Sequence, residues 1–340
     1  MTYTLHTGDC REVMATLPAE SVDAIVCDPP YGLSFMGKGW DHGVPGVDFW
    51  VEALRVLKPG GHLIAFGGTR TYHRLAVAIE DAGFEVRDCL MWLYGSGFPK
   101  SHNLRGEWQG WGTALKPAYE PAILARKALR GTVADNMAQW GTGGLNIDAT
   151  RVGDEGGRWP ANVILDEEAA AALDEQSGVT RSVRTDRGKG IDGPTFQNVN
   201  GTLNGIRGHS DFGGASRFFY TAKASRSERE AGLDGVEVKQ AGSVRGHNKH
   251  KPRLAGDGRV NPQITEPQRA NHHPTVKPIA LMRYMIRLVV PRGAVVLDPF
   301  MGSGSTGCAA MVEGMQFIGI DIIPEYVEIA RGRLAWWSSM

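Results

Sequence analysis

The stretch from Ala294 to Asp321 constrains the fold more than any other part of the chain. Ala294-Val295-Val296-Leu297 is apolar and short enough for one buried strand, and it runs into Asp298-Pro299-Phe300-Met301-Gly302-Ser303-Gly304. A helical pattern follows from about Ser305 to Glu313, then a second apolar run, Gln316-Phe317-Ile318-Gly319-Ile320, which ends at Asp321. The pattern predicts a βαβ unit, because parallel strands need a crossover and a helix supplies it. Glycines in its first turn let a ligand approach the backbone at a helix N-terminus. Asp321 stands at the tip of the next strand, about twenty residues on, where an acceptor for ribose hydroxyls belongs.

A second apolar run, Val22-Asp23-Ala24-Ile25-Val26-Cys27, ends in Asp28-Pro29-Pro30-Tyr31. Consecutive prolines fix φ and remove donors, so this loop is stiff. It suits one chemical problem. An exocyclic amine on a nucleobase is a poor nucleophile, since its lone pair is delocalised into the ring. A carboxylate and a backbone carbonyl that each hold one N–H localise that pair and aim it at an electrophilic methyl. An aromatic ring beside them can stack on the base. Asp28, the Pro29 carbonyl and Tyr31 have these capacities, with Pro30 shaping the loop. On residues alone, a strand end followed by a Pro-Pro turn accounts for the same letters.

Together these segments resemble the S-adenosylmethionine-dependent DNA amino-methyltransferases. Asp28-Pro29-Pro30-Tyr31-Gly32 resembles their catalytic loop and Phe300-x-Gly302-x-Gly304 their cofactor loop. His273-Pro274-Thr275-Val276-Lys277-Pro278 and Thr7-Gly8-Asp9-Cys10 are two further matches. The catalytic segment precedes the cofactor segment, as in the circularly permuted β group. Gly95–Lys100, Gly157–Asn162 and Arg217–Lys223 resemble phage and prophage-type members.

The resemblance implies an α/β fold: a doubly wound, mostly parallel, seven-stranded Rossmann-like sheet, circularly permuted, with an inserted target-recognition region. It implies S-adenosyl-L-methionine as cofactor, double-stranded DNA as partner, base flipping, a homodimer and site-specific methylation of adenine N6. Asp at position 28 leans to adenine. Cytosine-N4 methylation is the alternative, with RNA or protein-glutamine methylation further off. It also implies residue roles. Asp28, Pro29, Pro30 and Tyr31 form the catalytic set, with Asp28 also beside the cofactor. Asp9 and Cys10 hold the adenine edge of the cofactor. Thr275 and Lys277 meet its methionine carboxylate, while Asp298, Phe300, Gly302, Ser303 and Gly304 surround the methionine part. Asp321, with Ile322 next to it, meets the ribose. As bland alternatives, Asp9, Asp321 and Thr275 can each be helix caps.

Net charge is zero, but residues Val179 to Thr275 carry 16 Lys+Arg against 9 Asp+Glu. Such a basic stretch suits phosphate contacts with salt-dependent affinity, although a solvated surface has the same composition. The four cysteines are scattered, which fits reduced thiols. No C-x-x-C accompanies His247, His250, His272 and His273, so no metal site is expected. No cysteine follows a proline, which argues against the cysteine-nucleophile chemistry of cytosine-C5 methylation. Without an apolar leader or an apolar run near twenty residues, a cytoplasmic protein is expected, and the resemblance implies association with the nucleoid.

The expected organisation is a catalytic part at 1–127, an insertion at 128–272 and a cofactor part at 273–340, the outer two forming one domain. Strands are expected at 4–7, 22–27, 62–66, 84–94 and 120–126. Helices are expected at 11–17, 47–57, 71–82, 275–289 and 324–334, with Lys58-Pro59-Gly60-Gly61 stopping the second. Segments 186–216 and 241–271 read as loops, and Phe218-Phe219-Tyr220 as strand. Trp92, Trp108, Trp111, Trp140 and Trp159 are expected mostly in the core. If the strands before Asp28 and Asp298 are neighbours, their loops face one another across one crevice at a topological switch point.

Overall fold

The computed structural model describes residues 2–33, 43–97, 101–153, 156–183, 185–186, 206–223, 225–236, 238–240 and 268–340. Residues 98–100, most of the expected loops at 186–216 and 241–271, and His247 and His250 lie outside them. The principal strands are β1 (Tyr3–Thr7), β2 (Val22–Cys27), β3 (Leu57–Phe66), β4 (Glu85–Leu93), β5 (Tyr119–Arg126), β6 (Val163–Asp166), β7 (Tyr220–Ala222), β8 (Val295–Asp298) and β9 (Gln316–Asp321). The helices are α1 (Cys10–Thr16), α2 (Val47–Val56), α3 (Tyr72–Asp81), α4 (Val133–Trp140), α5 (Glu167–Ser177), α6 (Arg226–Glu230), α7 (Ile279–Val289), α8 (Ser305–Val312) and α9 (Pro324–Ser338).

The chain forms two compact units. The first takes Met1–Met91, Tyr119–Thr150 and Ala222–Met340; the second takes Trp92–Ala118 and Arg151–Thr221. These boundaries differ from the expected 128–272 insertion: 128–150 and the described residues from 222 to 272 lie with the first unit, and 92–118 with the second.

In the first unit the strand order is β1-β9-β8-β2-β3-β5-β4. The pairs β1–β9, β9–β8, β8–β2 and β2–β3 are parallel, whereas β3–β5 is antiparallel. All six residues of β2 are buried, as a parallel strand covered on both faces should be. Asp23 is the polar exception, and its carboxylate is satisfied: Lys58 Nζ donates to Oδ1 (2.6 Å) and Val295 N to Oδ2 (2.8 Å). That pair of bonds ties β2 to β3 and to the start of β8. From β8 the chain turns through α8 to β9 on one side; from β2 it turns through α2 to β3 on the other. Opposite departures from neighbouring strands create the switch point, and the expected doubly wound Rossmann-like sheet is present.

Several expectations need correction. Lys58-Pro59-Gly60-Gly61 does not delay the strand: β3 begins at Leu57. Its Pro-Gly backbone is satisfied from elsewhere. Asn136 Nδ2 and Thr142 Oγ1 donate to the Pro59 carbonyl (2.9 and 2.6 Å), and Gly60 N donates to Ala128 O (3.2 Å). Second, α4 and α5 form where no helix is expected. Thr132 and Asp135 build a capping box for α4, and Asp166 caps α5. Third, Phe218 ends a 3₁₀ turn rather than lying in a strand. In the second unit its ring lies 4.7 Å from the Arg158 guanidinium and 4.3 Å from that of Arg217. Trp108, Trp111 and Trp159 are exposed (56%, 63% and 51%), against the expectation of core. No described helix is long and apolar enough to cross a membrane.

Candidate active site

The loop after β2 is held in place by its surroundings. Thr71 Oγ1 donates to the Tyr31 carbonyl (2.6 Å). Gly68 makes room for the Tyr31 ring, since a Cβ there would stand 3.2 Å from Tyr31 Cδ2. The Tyr31 hydroxyl lies 2.8 Å from Asp28 Oδ1 and 2.9 Å from Glu120 Oε2. Lys277 Nζ donates to Asp28 Oδ2 (2.6 Å) and the Tyr31 oxygen (3.1 Å), and pairs with Glu120 Oε2 (3.0 Å). Burial disfavours the Lys277 ammonium, but the Asp28 and Glu120 charges and hydrogen bonds outweigh it and hold the pKa above the usual lysine value. Burial, then the same two charges, push the Tyr31 phenol well above its ordinary range, so it keeps its proton.

Register explains how Glu120 arrives there. Phe66 at the end of β3 pairs with Ala122 of the antiparallel β5, so Glu120 projects past the carboxyl end of β3. Cys27 pairs with Ala65, which puts Asp28 at that same edge.

The loop after β8 lies next door. Asp298 is buried, accepting from Phe300 N (3.0 Å) and Thr306 Oγ1 (2.6 Å). Burial is the main force raising its carboxyl to about 7, with the charges of Asp28 and Asp321 adding to it. Asp321 accepts from Gly302 N and Ile323 N (both 2.8 Å), and burial raises its pKa too. Each oxygen keeps a lone pair for another donor. Gly302 and Gly304 have φ of 52° and 80°, left-handed conformations that favour glycine. Ser303 is buried; its carbonyl and hydroxyl accept from the fully buried Arg333 (2.6 and 3.1 Å).

A third segment closes on this turn. Arg229 donates to the carbonyls of Asn271 (3.2 Å) and His273 (2.5 Å), and Glu230 accepts from Ala270 N (3.1 Å) and Asn271 N (3.2 Å). Burial lowers the His273 pKa to about 4, so the ring is neutral; Nδ1 donates to the Thr275 carbonyl (2.5 Å). Its Nε2 then faces Gly302, where a Cβ would stand 2.8 Å away.

The expected residues fall into place unevenly. Asp28, Tyr31, Asp298 and Asp321 come together, with Gly302, Ser303 and Gly304 in the adjoining turn. Lys277 lies on Asp28 rather than being left free for a cofactor carboxylate. Phe300 is half-buried against Phe49 and Trp50, with ring centroids 6.0 and 6.1 Å apart. Asp9 caps α1 through Arg11 N (2.9 Å) and also binds the Arg11 guanidinium (2.6 Å). Cys10 is buried in the first turn of that helix, and burial pushes its thiol up to about 12. Thr275 caps no helix, because α7 begins after Pro278. Asp321 caps none either: α9 starts after Ile323 without a side-chain cap. Ile322 is 58% exposed at the tip of β9. Sequence reasoning missed Glu120, Arg229, Glu230 and Arg333. No group of His, Cys, Asp and Glu among the described residues could hold a metal ion.

A family model described as DNA methylase matches residues 22–332. The chain belongs to that family. Its members are the S-adenosylmethionine-dependent N6-adenine and N4-cytosine DNA methyltransferases. The type II methyltransferase M.HindIII of Haemophilus influenzae is 24% identical over 305 residues, covering 84% of this chain and 68% of its own. The DNA adenine methyltransferase YhdJ of Escherichia coli K12 is 46% identical over 63 residues, 18% of this chain and 21% of its own. The three short matches of higher identity, YhdJ among them, span only 24%, 28% and 21% of those relatives' lengths. A putative DNA modification methylase of Thermus thermophilus, complexed with S-adenosyl-L-methionine, is 17% identical over 99% of this chain and 95% of its own, with TM-score 0.48. The site fits the family's cofactor. Asp321 holds the Gly302 and Ile323 N–H groups (both 2.8 Å) and keeps a lone pair on each oxygen for a further donor, beside a buried Asp298 that lies within reach of the Asp28 and Asp321 charges.

Proposed function

We propose that this DNA methylase methylates the exocyclic N6 of adenine in double-stranded DNA, with the base flipped out of the stack. One observation carries the reading: the Asp28 loop and the Gly302–Gly304 turn meet at a switch point between neighbouring parallel strands. When bound, S-adenosylmethionine supplies an electrophilic methyl on a cationic sulfur. The chain's own groups do the rest by position and charge. Asp28 and the Pro29 carbonyl accept the two N–H bonds of the amine, and the Tyr31 ring stacks on the base. Asp321 accepts from ribose hydroxyls, and the turn at Gly302–Gly304 brings backbone close to the methionine part. Flipping costs a few kcal/mol of stacking, which phosphate contacts and pocket contacts must offset. Asp at position 28 and the similarity to an adenine methyltransferase favour adenine. Cytosine-N4 methylation would use the same parts.

Labelled cofactor, unmethylated DNA and nucleoside analysis test this. Label on N6-methyladenine is expected; label on N4-methylcytosine would replace adenine with cytosine, and unlabelled DNA would end the proposal. Asp28→Ala should abolish transfer while cofactor binding persists. An active Asp28→Ala enzyme would refute the catalytic assignment.

A further inference from the structure

Glu120 has no role in the chemistry above, yet it is the second acid in the amine pocket. Lys277 Nζ donates to Asp28 Oδ2 (2.6 Å) and the Tyr31 oxygen (3.1 Å) and is ion-paired with Glu120 Oε2 (3.0 Å). The Tyr31 hydroxyl has one proton and two carboxylate neighbours, at 2.8 and 2.9 Å. The cluster therefore holds two carboxylates against one ammonium. Lys277 facing Asp28 alone would make a neutral pair. The Lys277 side chain is 8% exposed and those of Asp28 and Glu120 22% and 24%, so water screens these charges poorly. Lys277 also lies 4.9 Å from the Phe66 ring centroid, which backs it on its apolar side.

Charge matters here because the reaction moves it. The amine nitrogen uses its lone pair to form the N–C bond as the S–C bond breaks, and sulfur keeps that bonding pair. Positive charge passes to nitrogen, which then loses one N–H proton to Asp28 and from there to solvent. A cation beside Asp28 opposes this; a second carboxylate cancels the cation. We propose that Glu120 sets the charge of the amine pocket, neutralising Lys277 so that the charge of Asp28 acts on the target nitrogen. This rests on the amine-methylation reading. In this reading Glu120 is a positioning residue that works through its contacts to Lys277 and Tyr31.

The test is single-turnover transfer of labelled methyl to unmethylated genomic DNA by the full chain, with cofactor affinity measured in parallel. Glu120→Gln keeps the shape and removes the charge. Its rate should fall on the order of 100-fold, the scale on which one preorganised group acts at a reacting centre, with cofactor affinity retained. Glu120→Asp keeps the charge and should retain most of the rate. Adding Lys277→Met to Glu120→Gln restores one net negative charge and should recover about tenfold or more, a coupling of opposite sign to additive damage. A double variant no faster than Glu120→Gln, or a Glu120→Gln enzyme at wild-type rate, would overturn this inference alone. Absence of label with the wild type would overturn the amine-methylation reading as well.

Discussion

Gly304→Ala tests whether the cofactor turn is held by shape. Gly304 has φ 80° and ψ 27° at the N-cap of α8. An L side chain in that conformation costs about 1–2 kcal/mol. Its Cβ would also stand 2.8 Å from Leu334 Cδ1, 2.9 Å from Ala330 Cβ and 3.2 Å from Ala330 Cα. Leu334 and Ala330 are both fully buried on α9, so neither can give way cheaply. Overpacking of this kind costs about 1–3 kcal/mol. The variant should lose about 2–5 kcal/mol in urea denaturation. Gly314 is the control: its φ is 74° but nothing lies within 4 Å of a Cβ there. Gly314→Ala should show the backbone cost alone. If α9 moves aside to relieve the clash, Arg333 moves with it and releases the Ser303 carbonyl. Calorimetry should therefore show weaker S-adenosylmethionine binding for Gly304→Ala but not for Gly314→Ala. Equal losses of stability in the two variants would refute the packing argument.

Two further outcomes follow from the same turn. Burial raises Asp298 to about 7, so its contribution to stability is complete below about pH 4 and is lost as pH rises through 7. Asp298→Asn has no proton to lose. Urea denaturation should show the stability advantage of the wild type over Asp298→Asn shrinking by about 2–3 kcal/mol from pH 5 to pH 8; an unchanged difference would contradict the assignment. Arg333→Met leaves the Ser303 and Glu228 carbonyls without their buried donors, at about 1–3 kcal/mol each. Cofactor affinity should fall with it in calorimetry, and unaltered affinity would show that Ser303 needs no anchor.

What could be read in advance was local. β2 is buried throughout and β8 nearly so, so each is an almost wholly apolar run, Asp23 excepted, and each ends in a loop whose prolines or glycines mark the turn. The βαβ unit, the switch point and the three aspartates at 28, 298 and 321 follow from those runs. What could not be read is tertiary. Arg331 and Arg333 flank one glycine in α9, yet Arg331 is exposed and Arg333 is fully buried against Ser303. No periodicity separates them. The start of β3 departs from expectation because Asn136 and Thr142, more than seventy residues away, satisfy the Pro59 carbonyl. The capping box of α4 and the cap of α5 were legible in principle: Thr132 with Asp135, and Asp166 before Glu167.

Glu120 shows why chemistry at a switch point is harder to read than the fold that makes it. Its letter pattern is that of any acid opening a strand. Only the antiparallel turn of β5 against β3 brings it to the carboxyl edge where Asp28 stands, a reversal beside the run of parallel pairs from β1 to β3. Lys277 reaches the same point from 249 residues away. In the sequence alone, the resemblance of its hexad makes Lys277 a cofactor contact. Placed among two acids and a phenol, it becomes a counter-charge whose worth depends on Glu120. The electrostatics of the pocket are therefore a property of three loops together, and substitutions at any one of them should be interpreted against the charges of the other two.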